Sequence, residues 1–271
     1  KYQPKILILT NIEYDHPDFF KNFRDYKKAF LKLVSKLPKN GLLIGWGGDK
    51  TIKEIAKKSP CKTLLYRRED LKRFGNLSLG VPGEHNQLNG LAVLPLVKAL
   101  RLNVKKAKNI LEKFKGTARR FEIIKKFKNG VLVIDDYAHH PTEVKATLKA
   151  AKQLYADRKI WCVFHPHTFT RTKVLLKDFA RSFNEADEVI ILDIYSSARE
   201  KKGGVHSRDL AELMRKYKEK DKIKYIPNIS KAADYLKEHL GKDDIVITMG
   251  AGDVWKLSTE LNLESDRNMV K

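Results

Sequence analysis

Between residues 121 and 249, short apolar runs alternate with helical patterns, and no other feature of the sequence limits the fold as much. The runs lie at 121–127, 131–134, 160–164, 189–192, 223–226 and 245–249, with helical spacing at 142–155, 170–184, 207–217 and 229–239. Apolar runs without polar alternation are those of strands covered on both faces, and the intervening helices supply the crossovers of a parallel sheet. The expected fold class is α/β, with a Rossmann-like, mostly parallel C-terminal domain over residues 116–271.

The preceding residues, 1–115, read as a smaller α/β region. A strand at 5–9 is followed by a helix at 21–36, whose apolar positions include Phe23, Tyr26, Phe30, Leu33 and Val34. Pro38 and Gly41 stop it, and further strands follow at 42–46 and 63–66. A long apolar helix at 85–102 is expected to kink or divide at Pro95, and a short basic helix fills 103–115. The stretch GWGGDKT, Gly45 to Thr51, has the look of a phosphate loop but places Asp49, a carboxylate, where glycine must precede the lysine. No GxxxxGK[ST] occurs in the chain.

Chemistry gathers at the ends of the apolar runs, where open parallel sheets bind ligands. VLVIDDYAHHPTEV feeds a buried strand into Asp136, Tyr137, His139 and His140 before Pro141 opens a helix. FHPHTFTRT supplies His165, His167 and Arg171; DIYSSARE supplies Asp193, Tyr195, Arg199 and Glu200; and TMGAGDVW ends on a glycine turn. GAGD has too few glycines for a dinucleotide fingerprint, so Gly250 and Gly252 read as a close-packed turn. Adjacent histidines in an extended loop point apart, which disfavours a zinc site, and no GxSxG elbow supports a serine hydrolase. Arg119, Arg120 and Arg171 suit an anionic substrate, gripping carboxylate or phosphate oxygens in forked geometry. Nearer the start, Asp15 and His16 suit metal or phosphate work, while Asn86 and Asn89, three apart on one helix face, can cap that helix or read a base edge.

Composition bounds the partners. A net charge of +22 attracts nucleic acid, anionic membrane or phosphorylated substrates without choosing among them. The lysines lie mostly on the polar sides of helical patterns, as in VKKAKNILEKFK, and read as a solvated surface. No specific nucleic-acid motif is present, no apolar run suggests a membrane span, and the expected compartment is the cytoplasm. Cys61 and Cys162 lack metal or disulfide spacing and read as ordinary buried thiols.

Seven segments in order, TNIEYDH, PGEHNQLNGLA, GTARRFE, DDYAHHPTEVKATLKAA, HPHTFTRT, LDIYSSARE and TMGAGDVWKL, resemble the Mur ligase family over nearly the whole chain. The resemblance implies that residues 1–115 are the later half of a central P-loop-type ATPase domain and residues 116–271 the C-terminal, amino-acid-binding domain. It implies an ATP- and Mg2+-dependent ligase of peptidoglycan precursor synthesis. DDYAHHPTE and HPHTFTR point to the branch that joins L-alanine to UDP-N-acetylmuramate through an acyl phosphate. Other readings are a ligase recycling murein peptide and a non-catalytic basic binding module. By the same resemblance His16 is the magnesium ligand, His85 and Asn89 meet the adenine, Arg120 the phosphates and Asp136 the ribose; Tyr137, His139 and Arg171 frame alanine. The family's phosphate loop and N-terminal domain have no counterpart in these residues, so the chain alone is expected to be inactive without that part of the enzyme.

Overall fold

The computed structural model describes residues 2–74, 77–197, 200 and 203–263. Two compact units divide it, residues 1–115 and 116–271.

In the first unit, strands β1 (Ile6–Leu9), β2 (Leu42–Trp46) and β3 (Lys62–Tyr66) form a parallel sheet in that order. Side chains alternate across it, so Leu43 packs with Val34, Leu37, Ile52 and Ile55 on one face. Leu42 and Ile44 pack with Leu91, Ala92 and Leu94 on the other. The helices are α1 (Phe23–Val34), α2 (Lys50–Ala56), α3 (Asp70–Phe74), α4 (Glu84–Ala99) and α5 (Val104–Glu112). Of these, α2 is not anticipated from the sequence and α4 lacks its expected break. GWGGDKT is a strand-to-helix turn in which Asp49 caps α2, its Oδ1 accepting from the Ile52 N–H at 2.9 Å. Pro95 does not divide α4, because the apolar residues flanking it hold both sides of the helix against the sheet.

The second unit is a six-stranded sheet of β4 (Glu122–Lys126), β5 (Leu132–Asp136), β6 (Ile160–Phe164), β7 (Glu188–Ile191), β8 (Ile223–Tyr225) and β9 (Ile245–Met249), in spatial order β4-β5-β9-β6-β7-β8. Only β4 runs antiparallel, at the edge. Strands buried on both faces explain the unbroken apolar runs. Ile134, Cys162, Phe164 and Ile247 face α6 (Pro141–Leu154), α8 (Leu176–Ala180) and α9 (Ser207–Met214), while Val133, Val163 and Val246 face α10 (Ile229–His239) and α11 (Leu257–Glu260). The single helix expected at 170–184 is instead α7 (Phe169–Val174) and α8, parted at Leu175, whose φ of −103° leaves the helical range. Cys162 is fully buried and its thiol pushed up by desolvation; Cys61 is only half-buried, contrary to expectation. Among the described residues no helix is long and apolar enough to cross a membrane.

Candidate functional site

Because β5, β9, β6 and β7 are neighbours running the same way, their carboxyl ends deliver four loops to one rim of the second unit. The loop after β5 is fixed at both ends. His140 caps α6, its Nδ1 accepting from the Thr142 N–H at 3.3 Å, and the Glu143 carboxylate accepts from the N–H groups of His139 and His140 at 3.0 and 3.2 Å. The Tyr137 N–H donates to the Arg119 carbonyl at 2.7 Å, and the guanidinium carbons of Arg119 and Arg120 lie 5.0 and 5.5 Å from the Tyr137 ring centre. Tyr137 and His139 meet edge to face, and His139 Nδ1 lies 2.8 Å from the Tyr137 carbonyl.

The loop after β6 carries its groups against the loop after β7. His167 bridges to Tyr195 as in a parallel ladder, and their rings stack at 5.9 Å. The Thr168 N–H donates to the Tyr195 carbonyl, holding Thr168 at a φ of +67° from which α7 starts. Glu200 binds that start: its carboxylate accepts from the N–H groups of Phe169, Thr170 and Ser197 and from the Thr170 hydroxyl. His139 and His167 approach to 6.0 Å, closing a row of Tyr137, His139, His167 and Tyr195 across three loops. The glycine turn after β9 packs beneath it as a close-packed turn. A Cβ on Gly250, at a φ of +147°, would stand 2.6 Å from the His165 carbonyl, and one on Gly252 would stand 2.9 Å from the Tyr195 ring.

Arg171 is in the row's floor, 3 % exposed, with Nη1 3.0 Å from His167 Nδ1 and 3.3 Å from the His167 carbonyl. Burial, with the Arg171 charge added, pushes the His167 imidazole down to about 4. His167 is thus neutral near pH 7, and with Nδ1 accepting from Arg171 its proton resides on Nε2, which makes it a hydrogen-bond donor at the rim. His165 is also held below the ordinary histidine range by burial.

Two charges read from the sequence as ligand contacts also brace the fold. Asp136 is 5 % exposed, and its two carboxylate oxygens accept from the Phe121 N–H at 2.9 Å and the Ala138 N–H at 2.8 Å. Both oxygens hold the backbone around Tyr137. Desolvation raises its carboxyl to about 6. Arg119, placed with the gripping arginines, is a brace, donating to Asp135 Oδ2 at 2.7 Å and to the Gly250 carbonyl at 2.8 Å. Arg120 keeps an exposed side chain, 3.7 Å from Glu143. The sequence places His167, Tyr195 and Glu200 on the rim without a role; the local signal is a histidine on each side of Pro166 directly after a buried strand. Arg199 lies outside the described residues.

The first unit carries its candidates on two separate elements. His16 follows β1 in a loop that keeps it at a φ of +54°. Its carbonyl accepts from the N–H groups of Phe19 and Phe20, its own N–H donates to Asp15 Oδ1, and the Tyr14 hydroxyl donates to the Phe20 carbonyl. The imidazole is exposed, with Nε2 3.6 Å from Asp15. His85 and Asn89 are exposed on the first turns of α4, whereas Asn86 turns back to the Pro82 carbonyl at 2.6 Å. Among the described residues no three His, Cys, Asp or Glu side chains are grouped to hold a metal. His16 with Asp15 therefore fits only a cation that takes most of its ligands from water and phosphate oxygens, as Mg2+ does.

Two families match the chain: the Mur ligase middle domain over residues 1–97 and the Mur ligase, glutamate ligase domain over residues 119–252. A UDP-N-acetylmuramate–L-alanine ligase of Acetivibrio thermocellus is 40% identical, the alignment covering 100% of this chain and 62% of that protein. One of Clostridium acetobutylicum is 39% identical over 95% of this chain and 60% of the relative. The chain thus spans about three fifths of the length of these relatives. A solved UDP-N-acetylmuramate-alanine ligase of Thermotoga maritima shares the fold, with a TM-score of 0.73 at 24% identity over 96% of this chain and 59% of that one. The two matched domains follow one another in the order of the two units, and the chain belongs to the Mur ligase family.

Proposed function

We propose that this chain carries the amino-acid site and part of the nucleotide site of an ATP-dependent ligase that joins L-alanine to UDP-N-acetylmuramate in cytoplasmic peptidoglycan precursor synthesis. The observation that supports it best is the preformed row of Tyr137, His139, His167 and Tyr195 over Arg171, in a chain 40% identical along its whole length to a protein named for that reaction.

A carboxylate does not react with an amine until one oxygen becomes a leaving group. In this reading the γ-phosphoryl group of ATP passes to the muramoyl carboxylate, releasing ADP. The alanine amine then attacks the acyl carbon, phosphate leaves, and the amine loses its proton. Mg2+ when bound would neutralise phosphate charge, with His16 as a protein ligand. His85 and Asn89 would meet the adenine, and the exposed guanidinium of Arg120 would meet the phosphates. Asp136 serves the nucleotide from behind, by fixing the Tyr137 loop. The alanine carboxylate is received by the Nε2–H of His167, with the Arg171 charge beneath it, while Tyr137 and His139 border its short side chain.

The 271 residues contain no GxxxxGK[ST], and by themselves they are expected to hydrolyse no ATP. Joined to the preceding region of the Acetivibrio thermocellus relative, they are expected to form UDP-N-acetylmuramoyl-L-alanine with release of ADP and phosphate. In that chimera Arg171→Ala removes both the charge beneath the alanine carboxylate and the donor that fixes His167, which should raise the KM for alanine by about ten- to a hundredfold and leave the KM for ATP nearly unchanged. Equal changes in both would remove Arg171 from the amino-acid site. Preference for a tripeptide over alanine in competition would favour the murein-peptide reading instead.

A further inference from the structure

The end of the first unit, whose lysines read from the sequence as a solvated surface, also exposes large apolar side chains. From Lys98 to Lys115 there are seven cations, Lys98, Arg101, Lys105, Lys106, Lys108, Lys113 and Lys115, against the single acid Glu112. Among the described residues none of these cations has a carboxylate partner, and Lys108 donates to the Phe74 carbonyl. The same stretch exposes four large apolar side chains, Leu100, Leu102, Ile110 and Phe114, at 48 to 61 % of their surface. The helix already has a core face: Val104 and Leu111 pack against the cluster built on α4 and the sheet. Ile110 is therefore a second apolar position, exposed and outside that cluster, with Lys106 one turn before it on α5 and with Lys113 and Phe114 following directly after the helix ends. Apolar side chains ringed by lysines are what an interfacial helix presents to an anionic bilayer, the rings and aliphatic groups entering the headgroup boundary and the ammonium groups meeting phosphate.

We propose that α5 and the corner before it form a peripheral docking face for an anionic phospholipid surface. Nucleic acid would meet the lysines but leave Ile110 and Phe114 in water, and an acidic groove without matching apolar surface would do the same. A face with both features fits a bilayer of negative charge. The proposal is independent of the catalytic reading, since none of these residues belongs to the site described above.

The test is flotation of the purified 271-residue chain with phosphatidylcholine vesicles and with mixed phosphatidylcholine–phosphatidylglycerol vesicles. Binding is expected to the anionic vesicles alone and to weaken at high salt. The triple change Lys105→Gln, Lys106→Gln, Lys113→Gln should weaken it by about fivefold per charge, whereas Lys32→Gln, Lys36→Gln, Lys39→Gln, with the same net charge, should cost far less. Ile110→Ser with Phe114→Ser should weaken it by about tenfold without changing the net charge or the circular dichroism spectrum. Equal losses for the two lysine triplets, no loss for the serine pair, or an absence of vesicle binding would overturn the proposal. Binding to single-stranded DNA that the serine pair leaves intact, with no vesicle binding, would assign the face to nucleic acid.

Discussion

Asp49 and Asp136 occupy corresponding places in the two units, each just past or at the end of a middle strand and each accepting two backbone N–H groups. Asp49 sits at the water's edge, where it caps α2 and ties down Ile12 at 3.0 Å. Asp136 is sealed in the second unit, where it ties Phe121 to Ala138 and is pushed up to about 6 by its burial. The same contrast runs through the candidate residues. His16, His85 and Asn89 stand exposed on short local supports, whereas Tyr137, His139, His167 and Arg171 hold one another in place. The second unit thus has its candidate site organised by its own fold, whereas the first carries its candidate residues on separate elements.

The contrast breaks most sharply at the partner of Asp136. Asp135 is buried between Arg119 Nε and the Thr248 hydroxyl, both at 2.7 Å. Asp135→Ala removes two bonds to a buried carboxylate and leaves the Arg119 charge with only the Gly250 carbonyl and the Tyr137 ring, a loss of about 3–5 kcal/mol. Denaturant unfolding, with amide hydrogen exchange localising the loss to β5 and β9, checks it. A cost below about 1 kcal/mol would mean that the second unit does not depend on its interlocked charges.

Asp136 gives the next largest effect and a defined pH window. Its folded value, about 6, lies above the unfolded value of 3.8, so between about pH 4 and 6 the folded state holds the proton more tightly than the unfolded one. Stability contributed by the protonated group is therefore full below about pH 4 and lost as pH rises through 6, a change of about 3 kcal/mol for a shift of roughly two units. Asp136→Asn should flatten this part of the stability profile of the second unit, measured by denaturant midpoints at successive pH values. A wild-type profile that is already flat between pH 4 and 7 would sink the assignment.

Much of the fold could be read because continuous apolar runs such as Ile160–Phe164 have few alternatives once they are spaced for crossovers. Beside its likeness to a phosphate loop, GWGGDKT carries a helix signal: Asp49 followed by Ile52, Ile55 and Ala56 is a cap and a buried stripe. The break at Leu175 and the half-buried Cys61 depend on packing that no local pattern encodes. At the site, the residue types were legible and their directions were not. Asp135 and Asp136 are neighbours of one chemistry, yet one answers Arg119 and Thr248 and the other Phe121 and Ala138, partners supplied from up to 113 residues away. His167 likewise takes its donor role from Arg171, a turn of helix later, rather than from its own motif.

The smallest effect belongs to Asp49. Asp49→Ala removes the cap of a seven-residue helix, a loss of about 1–2 kcal/mol, and frees the Ile12 N–H that anchors the loop leading to His16. Asp49→Asn should recover most of the helix, since asparagine caps as well as aspartate, but its single carbonyl oxygen cannot serve both Ile52 and Ile12. The two variants therefore separate the functions of one carboxylate: stability of α2 returns in Asn while fast exchange of the Ile12 amide persists. Neither is expected to show the pH-dependent stability of the second unit between pH 4 and 6 altered, because Asp136 remains intact in both. If Asp49→Ala instead cost more than about 3 kcal/mol, the first unit would be as interlocked as the second, and its exposed histidines would need a different explanation from a surface waiting on its ligand.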